Sequence, residues 1–285
     1  MGENVFALHK ITGDDEVTFP FNIKDYQSYV FGDDRLANRF GTDLAKAFIA
    51  HGSGTKAAQH TTTTPSSNQS AADDVAIAVI SDHIPTATYS LRAHFVAYLK
   101  RHLASTNANP AIKVDITSVE GVADERNGPQ LQAENLTYRL DRERVGRRTI
   151  VVLGDIRLSQ DRERKIEASL RCAKIDNPLK FVYLASVLEP SKAKSLSPIL
   201  GSIVSPSIKD VEDIVDSSYF TMNASFVQYI LGRDEEQFCR FIRRQSDDFL
   251  RSLLDYAIGG RYYDSEIYQP NFKFLQWELG TRDSL

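Results

Sequence analysis

The chain is poor in residues and spacings on which several protein classes depend. Its 285 residues include two cysteines, two methionines and one tryptophan, and no Cys-x-x-Cys or His-x-x-x-His pattern is present. These absences give no sign of a metal site built by the protein alone. The two cysteines, Cys172 and Cys239, fall at apolar positions of predicted helices, which predicts buried free thiols.

Long apolar runs and an excess of positive charge are also missing. No run reaches the roughly 18 apolar residues of a membrane span, and the first residues lack the basic and apolar regions of a signal peptide. We therefore expect no membrane association and a cytoplasmic location. The net charge of -4 leaves no basic footprint for nucleic acid. Apolar content of 42% and charged content of 25% are ordinary for a globular protein.

Three common nucleotide-site and catalytic motifs are absent as well. The sequence lacks Gly-x-Gly-x-x-Gly, Gly-x-x-x-x-Gly-Lys-Ser/Thr and Gly-x-Ser-x-Gly, which argues against Rossmann, P-loop and α/β-hydrolase sites. What is present is a buried strand, Thr149 to Leu153, followed by a polar loop and a charged helix. Parallel sheets bind ligands at such strand ends, and the helix start offers amide groups to an anion.

The segment from Gly154 to Gln160 resembles the phosphoribosyl-diphosphate (PRPP) motif of type I phosphoribosyltransferases. In that family two adjacent acids hold the ribose hydroxyls, and a Thr-Gly loop that opens a helix holds the 5-phosphate. Here Gly154 stands in the place of the first acid, and Asp155 retains the second. Ser159 keeps a hydroxyl where the family has Thr, and Gln160 replaces the loop glycine.

Two further segments extend the resemblance along residues 20–190. Strand 75–81 and its following Pro-Thr-Ala loop are similar to the family's pyrophosphate-binding loop. The run from Tyr26 to Asp33, with the helical pattern after it, is similar to the family's entry segment and first helix. These pieces occur along the chain in the family's order.

The resemblance implies specific roles for individual residues. Asp155 would bind a ribose hydroxyl or, through water, Mg²⁺, and His83 would contact pyrophosphate or act as a general acid or base. The simpler alternatives are a turn or helix-capping acid for Asp155 and a surface position for His83. Arg157 is expected to be a solvated loop charge. The implied substrate-binding set is Asp82, Thr86, Thr88, Gly154, Ser159, Gln160, Asp161, Arg162, Glu125 and Arg126.

The predicted fold class is α/β, a doubly wound, mainly parallel sheet flanked by helices, with a mostly helical C-terminal appendage. Residues 1–204 would form the phosphoribosyltransferase-like domain, interrupted by a flexible polar insertion at 51–73, and residues 205–285 the appendage. Residues 119–135 would be either a loop that closes over the site or a solvated loop without a role in the chemistry.

Periodicity places the individual elements. We expect a small hairpin or a cap in residues 1–24, and one long helix from Glu235 to Ala257 that ends at a glycine pair. Arg142 to Arg148 would be a solvated turn. Further helices are expected at 34–49, 86–104, 208–216 and 224–232, and strands at 75–81, 111–118, 149–153 and 180–188.

The sequence thus favours an enzyme that transfers ribose 5-phosphate from PRPP to a small planar or aromatic acceptor and releases pyrophosphate. Mg²⁺ as cofactor and a homodimer are implied by the resemblance. Two alternatives stay open. The altered motif could belong to a non-catalytic PRPP- or nucleotide-binding regulatory module, or the same fold could hydrolyse a ribosyl phosphate.

Overall fold

In the computed structural model of the protein, the structure describes residues 4–12, 19–58, 74–81, 83–120, 136–187 and 206–283. The chain divides into two compact units. The first comprises Met1–Pro20, Asn38–Ser81 and Thr88–Pro198, and the second comprises Phe21–Ala37, Asp82–Ala87 and Ile199–Leu285. The domain boundary expected after residue 204 stays a prediction.

A six-stranded, mostly parallel sheet organises the first unit. Its order is β1-β6-β5-β2-β3-β4, and only β4 runs antiparallel to its neighbour, β3. The predicted α/β class is confirmed. The strands are β1 Val5–Ile11, β2 Val75–Ser81, β3 Ile112–Glu120, β4 Leu136–Leu140, β5 Thr149–Arg157 and β6 Leu179–Val187.

The central strands are apolar because helices cover both of their faces. Residues Ile150 to Leu153 of β5 are at most 3% exposed. On one face, Ile166 and Leu170 of a helix pack in the same buried cluster as Phe181 of β6. The helices of this unit are α2 (Asp34–Ala58), which is shared with the second unit, α3 (Ala87–Ser105), α4 (Arg142–Val145) and α5 (Asp161–Cys172).

Helices α2 and α3 pack closely because the chain carries a glycine where they meet. A Cβ atom on Gly41 would lie 2.6 Å from the carbonyl oxygen of Leu91. Phe48 of α2 and Phe95 of α3 are in aromatic contact, with ring centroids 5.8 Å apart. These contacts fix α3, the helix that follows β2.

Several predicted boundaries were wrong. Residues 5–11 form no hairpin, because they pair in parallel with β6 at the edge of the sheet. Helix α2 continues through Ala58, so the insertion begins later than predicted, and residues 59–73 lie outside the described residues. The run predicted as a solvated turn contains α4, and β3 continues to Glu120 into the predicted loop.

The second unit is mostly helical, as predicted for the C-terminal region. Its core is a group of aromatic rings in which Phe226 contacts Phe220, Phe241 and Phe249. Its helices are α1 (Ile23–Val30), the start of α2, α6 (Ile208–Val215), α7 (Ala224–Leu231), α8 (Glu235–Ile242), α9 (Asp247–Gly259) and α10 (Gln269–Arg282).

The single long helix predicted between residues 235 and 257 is instead two helices. Helix α8 ends at Ile242, and Ser246 caps α9 by accepting a hydrogen bond from the Phe249 amide at 3.3 Å. The apolar stripe is continuous in sequence, so the prediction missed the turn that this serine stabilises. The predicted end at Gly259 is confirmed.

The thiols are more accessible than predicted. Cys172, the last residue of α5, is exposed, and Cys239 is half-buried. Burial raises the pKa of the Cys239 thiol, which keeps it in the neutral form. Among the described residues, no helix combines the length and the apolarity needed to cross a membrane.

Helix α6 begins with a capping box, which leads to a first prediction. Ser207 donates to Asp210 Oδ2 from its hydroxyl at 2.6 Å and from its amide at 2.9 Å. These hydrogen bonds lower the pKa of Asp210 below its ordinary value. The resulting stabilisation is therefore present above the unfolded pKa of about 3.9 and is lost as the pH falls through the folded pKa.

Replacing Ser207 by alanine should raise the pKa of Asp210 towards about 3.9. The measurement is an NMR titration of the Asp210 carboxyl carbon. A suitable control is Ser217→Ala, since the Ser217 hydroxyl donates to the Ile214 carbonyl near the other end of α6. An unchanged Asp210 titration in Ser207→Ala would show that the capping box does not set this pKa.

Candidate functional site

The carboxyl ends of β2 and β5 mark the place where the strand order of the sheet reverses. From β2 the chain continues to β3 on one side, and from β5 it continues to β6 on the other. Pairing between β2 and β5 ends at Ala78 and Val152, although β2 continues to Ser81 and β5 to Arg157. The two strands therefore separate towards their carboxyl ends. Open α/β sheets bind ligands at such a switch point.

The predicted acid lies on the β5 side of this opening. Asp155 is half-buried, and its Oδ1 atom accepts the Ile156 amide at 2.8 Å. The sequence placed Gly154, Asp155 and Arg157 in a loop, and this was wrong, because β5 runs through Arg157 and stays paired with β6 to that residue. A strand fixes the direction of a side chain more firmly than a loop does. Asp155 is thus held on a rigid element.

Gly154 has no side chain because the ring of Tyr183 fills the adjacent space. A Cβ atom at this position would lie 2.6 Å from Cε1 and 2.7 Å from Cδ1 of Tyr183. Tyr183 stands opposite Gly154 on β6 and is 7% exposed. A larger residue at position 154 therefore requires a shift of this ring.

The loop from Leu158 to Gln160 joins β5 to the N-terminus of α5. Gln160 is the N-cap residue, and its side chain makes no capping bond; its Oε1 atom accepts from Arg164 instead. Ser159 is thus not the N-cap, although its hydroxyl oxygen accepts the Asp161 amide at 3.3 Å. An N-cap without a side-chain acceptor leaves first-turn amide groups of α5 for solvent or a ligand.

The first turn of α5 also carries charges of both signs. Asp161 and Arg162 are exposed at its first two positions. Arg162 has a planar guanidinium group that suits a phosphate, whereas Asp161 opposes an anion. The arrangement offers a short anion-binding turn next to one carboxylate, Asp155.

The sequence missed a buried group of three polar side chains beneath this loop. Arg157 donates to Glu163 twice, from Nε to Oε1 at 2.5 Å and from Nη2 to Oε2 at 2.8 Å. Both side chains are 8% exposed. The Tyr183 hydroxyl also interacts electrostatically with Glu163. Arg157 was expected in solvent, so this placement corrects the prediction. The only signal in the sequence was the separation of six residues across a strand–helix junction.

Electrostatics keep Tyr183 and Arg157 each in one protonation state. Burial, followed by the negative charge of Glu163, raises the pKa of Tyr183 above its ordinary value, so the phenol stays protonated. The hydrogen bond to Glu163 raises the pKa of Arg157, which stays charged. The guanidinium thus donates to the carboxylate as a charged group, beside a neutral phenol.

Comparison with known protein families shows which family the chain belongs to. The family described as PRTase ComF-like matches residues 3–275. The chain belongs to this phosphoribosyltransferase family. A search of the curated proteins finds no match. Membership in the PRTase ComF-like family supports a phosphoribosyltransferase-type function in general and leaves the acceptor unspecified.

The residues predicted for the PRTase site fall into three groups. Gly154, Asp155, Ser159, Gln160, Asp161 and Arg162 come together at the end of β5 and the start of α5. Thr88 lies in the first turn of α3 in the first unit, whereas His83, which is exposed, and Thr86 belong to the second unit. Asp82, Glu125 and Arg126 lie outside the described residues.

Within the second unit, the segment after β2 is tied to helix α7. The carbonyl oxygen of Pro85 accepts the Ala224 amide at 2.8 Å. A Cβ atom on Gly259 would lie 3.0 Å from Ile84, which is 8% exposed. Thr86 immediately precedes α3 and His83 stands three residues earlier, so both belong to a packed segment. Their roles in binding stay predictions.

Metal binding at this site would depend on the substrate. The part of the chain that the structure describes contains no group of three or more His, Cys, Asp or Glu side chains arranged to hold a metal ion. Mg²⁺ is commonly bound through one or two carboxylates together with substrate phosphates and water. Asp155 with a phosphate-bearing substrate fits this donor set.

Proposed function

We propose that the protein is a phosphoribosyltransferase that transfers ribose 5-phosphate from PRPP to a small planar or aromatic acceptor. The observation that carries the proposal is that Asp155 and the first turn of α5, whose N-cap side chain makes no capping bond, both follow the point where the pairing of β2 and β5 ends. Such a turn binds a phosphate, and a carboxylate beside it can accept a ribose hydroxyl.

The transfer reaction requires positioning rather than covalent chemistry by the protein. The amide groups of the α5 first turn and Arg162 would hold the 5-phosphate, and Asp155 would orient the ribose. When bound, Mg²⁺ would neutralise the charge of the departing pyrophosphate. Asp155 would hold the Mg²⁺ ion through water or directly. The homodimer, the cytoplasmic location and the absence of nucleic-acid binding stay predictions.

A non-catalytic PRPP- or nucleotide-binding module is the second candidate function. One observation favours it, since the Tyr183 ring occupies the space that a side chain at residue 154 would need. Asp155 is then the carboxylate that β5 would contribute to the ribose hydroxyls. Such a module would bind the same ligands without turnover. A ribosyl-phosphate hydrolase, the third possibility, differs only in using water as acceptor.

Calorimetric titration with PRPP, with and without Mg²⁺, tests the proposal. The wild-type protein should bind PRPP more tightly with Mg²⁺, and Asp155→Asn should weaken binding about tenfold or more, as expected for losing a charge-assisted contact. The matched control is Asp176→Asn, which alters an exposed carboxylate beyond the far end of α5.

The outcomes separate the candidates. Mg²⁺-dependent binding, lost in Asp155→Asn and followed by pyrophosphate release in an acceptor screen, supports the transferase. Binding without pyrophosphate release for any acceptor or water favours the regulatory module. No binding at millimolar PRPP contradicts both.

A further inference from the structure

Glu163 occupies an unusual place for a carboxylate near an anion-binding turn. It is the third residue of α5 and is 6% exposed. Two guanidinium N–H groups of Arg157 donate to it, and its charge acts on the hydroxyl of Tyr183. A buried charge is tolerated only when its partners saturate it, and the fork of arginine matches a carboxylate geometrically. The Glu163 side chain is therefore held in one position.

The three partners come from three elements around a single loop. Arg157 is the last residue of β5, Glu163 lies in the first turn of α5, and Tyr183 lies on β6. The residues between the first two, Leu158 to Gln160, form the loop that opens the candidate phosphate site. The bidentate pair bridges the two ends of this loop, and Tyr183 ties the bridge to the sheet.

The charges of Arg157 and Glu163 also affect how the first turn of α5 can bind an anion. An unneutralised carboxylate in the first turn of a helix repels a bound phosphate through space. Arg157 supplies the compensating charge from beneath the loop, where both side chains are 8% exposed. The first-turn amide groups and the exposed Arg162 can then act on an anion without the opposing field of Glu163.

On this basis, and resting on the function proposed above, we propose that Tyr183, Arg157 and Glu163 are positioning residues that hold the β5–α5 loop in its phosphate-binding conformation. None of them touches the substrate. They act through the loop amides, so their loss should weaken binding of the phosphate end of the substrate even when the fold is retained.

The same unit contains a second group of an arginine, a tyrosine and a carboxylate. Arg92 Nη1 bonds to Asp115 Oδ1 at 2.6 Å, and the Tyr89 hydroxyl donates to Asp115 Oδ2 at 2.7 Å. This group joins α3 to the middle of β3, and the Asp115 side chain is 41% exposed. It does not bridge the ends of the β5–α5 loop. Tyr89→Phe therefore removes a tyrosine hydroxyl beside a carboxylate, as Tyr183→Phe does, without affecting the loop.

The test measures the affinity for ribose 5-phosphate by calorimetry and the thermal unfolding temperature of each variant. Tyr183→Phe keeps the ring against Gly154 and loses only the hydroxyl that interacts with Glu163, and we expect an affinity loss of about fivefold, the ratio that corresponds to one polar interaction. Arg157→Lys keeps the charge and loses the fork, and should weaken binding about tenfold. Tyr89→Phe should bind as the wild type does.

Each outcome decides the proposal. An affinity loss in Tyr183→Phe and Arg157→Lys, beside unchanged binding by Tyr89→Phe, supports it. A lower unfolding temperature with unchanged affinity in both would show a purely structural role and overturn it. If Asp155→Asn weakens binding but Tyr183→Phe does not, only this inference fails. If the wild-type protein binds neither ribose 5-phosphate nor PRPP, the proposed function fails and this inference with it.

Discussion

Replacing Arg157 by alanine is expected to lower the free energy of unfolding by about 3–5 kcal/mol. The change leaves Glu163 buried without its two guanidinium donors, and the uncompensated charge costs more than the pair contributes when intact. Only the electrostatic interaction with the Tyr183 hydroxyl would remain from this group. Urea unfolding of the wild type and the variant measures the difference.

An exposed ion pair with a comparably short contact provides the control. Arg240 Nη2 lies 2.6 Å from Glu236 Oε1 in α8, with side chains 62% and 80% exposed. Arg240→Ala should therefore cost less than about 1 kcal/mol. The double variant Arg157→Met with Glu163→Leu should recover most of the loss, because it removes both charges together. Equal costs for Arg157→Ala and Arg240→Ala would mean that the Arg157–Glu163 pair is not desolvated in solution.

Gly154→Ala is expected to destabilise the protein by about 1–3 kcal/mol, the usual range for overpacking. The new methyl group would lie 2.6 Å from a ring carbon of Tyr183, and that ring belongs to a buried side chain on a central strand. Gly154→Asp should cost at least as much, because it adds a charge to the same crowded space. Unfolding of the two variants in urea measures both costs.

The close approach of residue 154 to Tyr183 also suggests a control variant and a second variant in which the clashing ring is removed. A Cβ atom on Gly280 of α10 meets nothing within 4 Å, so Gly280→Ala should stabilise the protein by up to about 1 kcal/mol through helix propensity. Gly154→Ala combined with Tyr183→Leu should cost less than the sum of the two single changes, because the ring that clashes is gone. Additive costs would show that Tyr183 does not restrict residue 154.

Local patterns in the sequence were sufficient for four of the six strands that the structure describes, β2, β3, β5 and β6. The apolar run Ile150 to Leu153 predicts a strand covered on both faces, and its residues are at most 3% exposed. Asp155 lies near the carboxyl end of that strand, and Ser159 lies in the loop that precedes α5. These features depend on neighbours in the chain, which a sequence displays directly.

Residues that are distant in the sequence determined where β5 ends and where residues 5–11 pair. The end of β5 was predicted four residues early because Gly154 to Arg157 are not an apolar run, yet pairing with β6 continues to Arg157 and Ser186. A strand can extend through polar residues when a neighbouring strand supplies the hydrogen bonds. The same cause places residues 5–11 beside β6 rather than in a hairpin.

The sequence by itself determined the α/β class, the order of most elements and the carboxylate of the candidate site, because each depends on local periodicity or on a short motif. Only the tertiary structure decided that Arg157 is buried, that Glu163 is its partner and that Tyr183 fills the space beside Gly154. Desolvation of a charge and the approach of a ring depend on what folds against a residue, and Tyr183 is contributed by a different strand from Gly154.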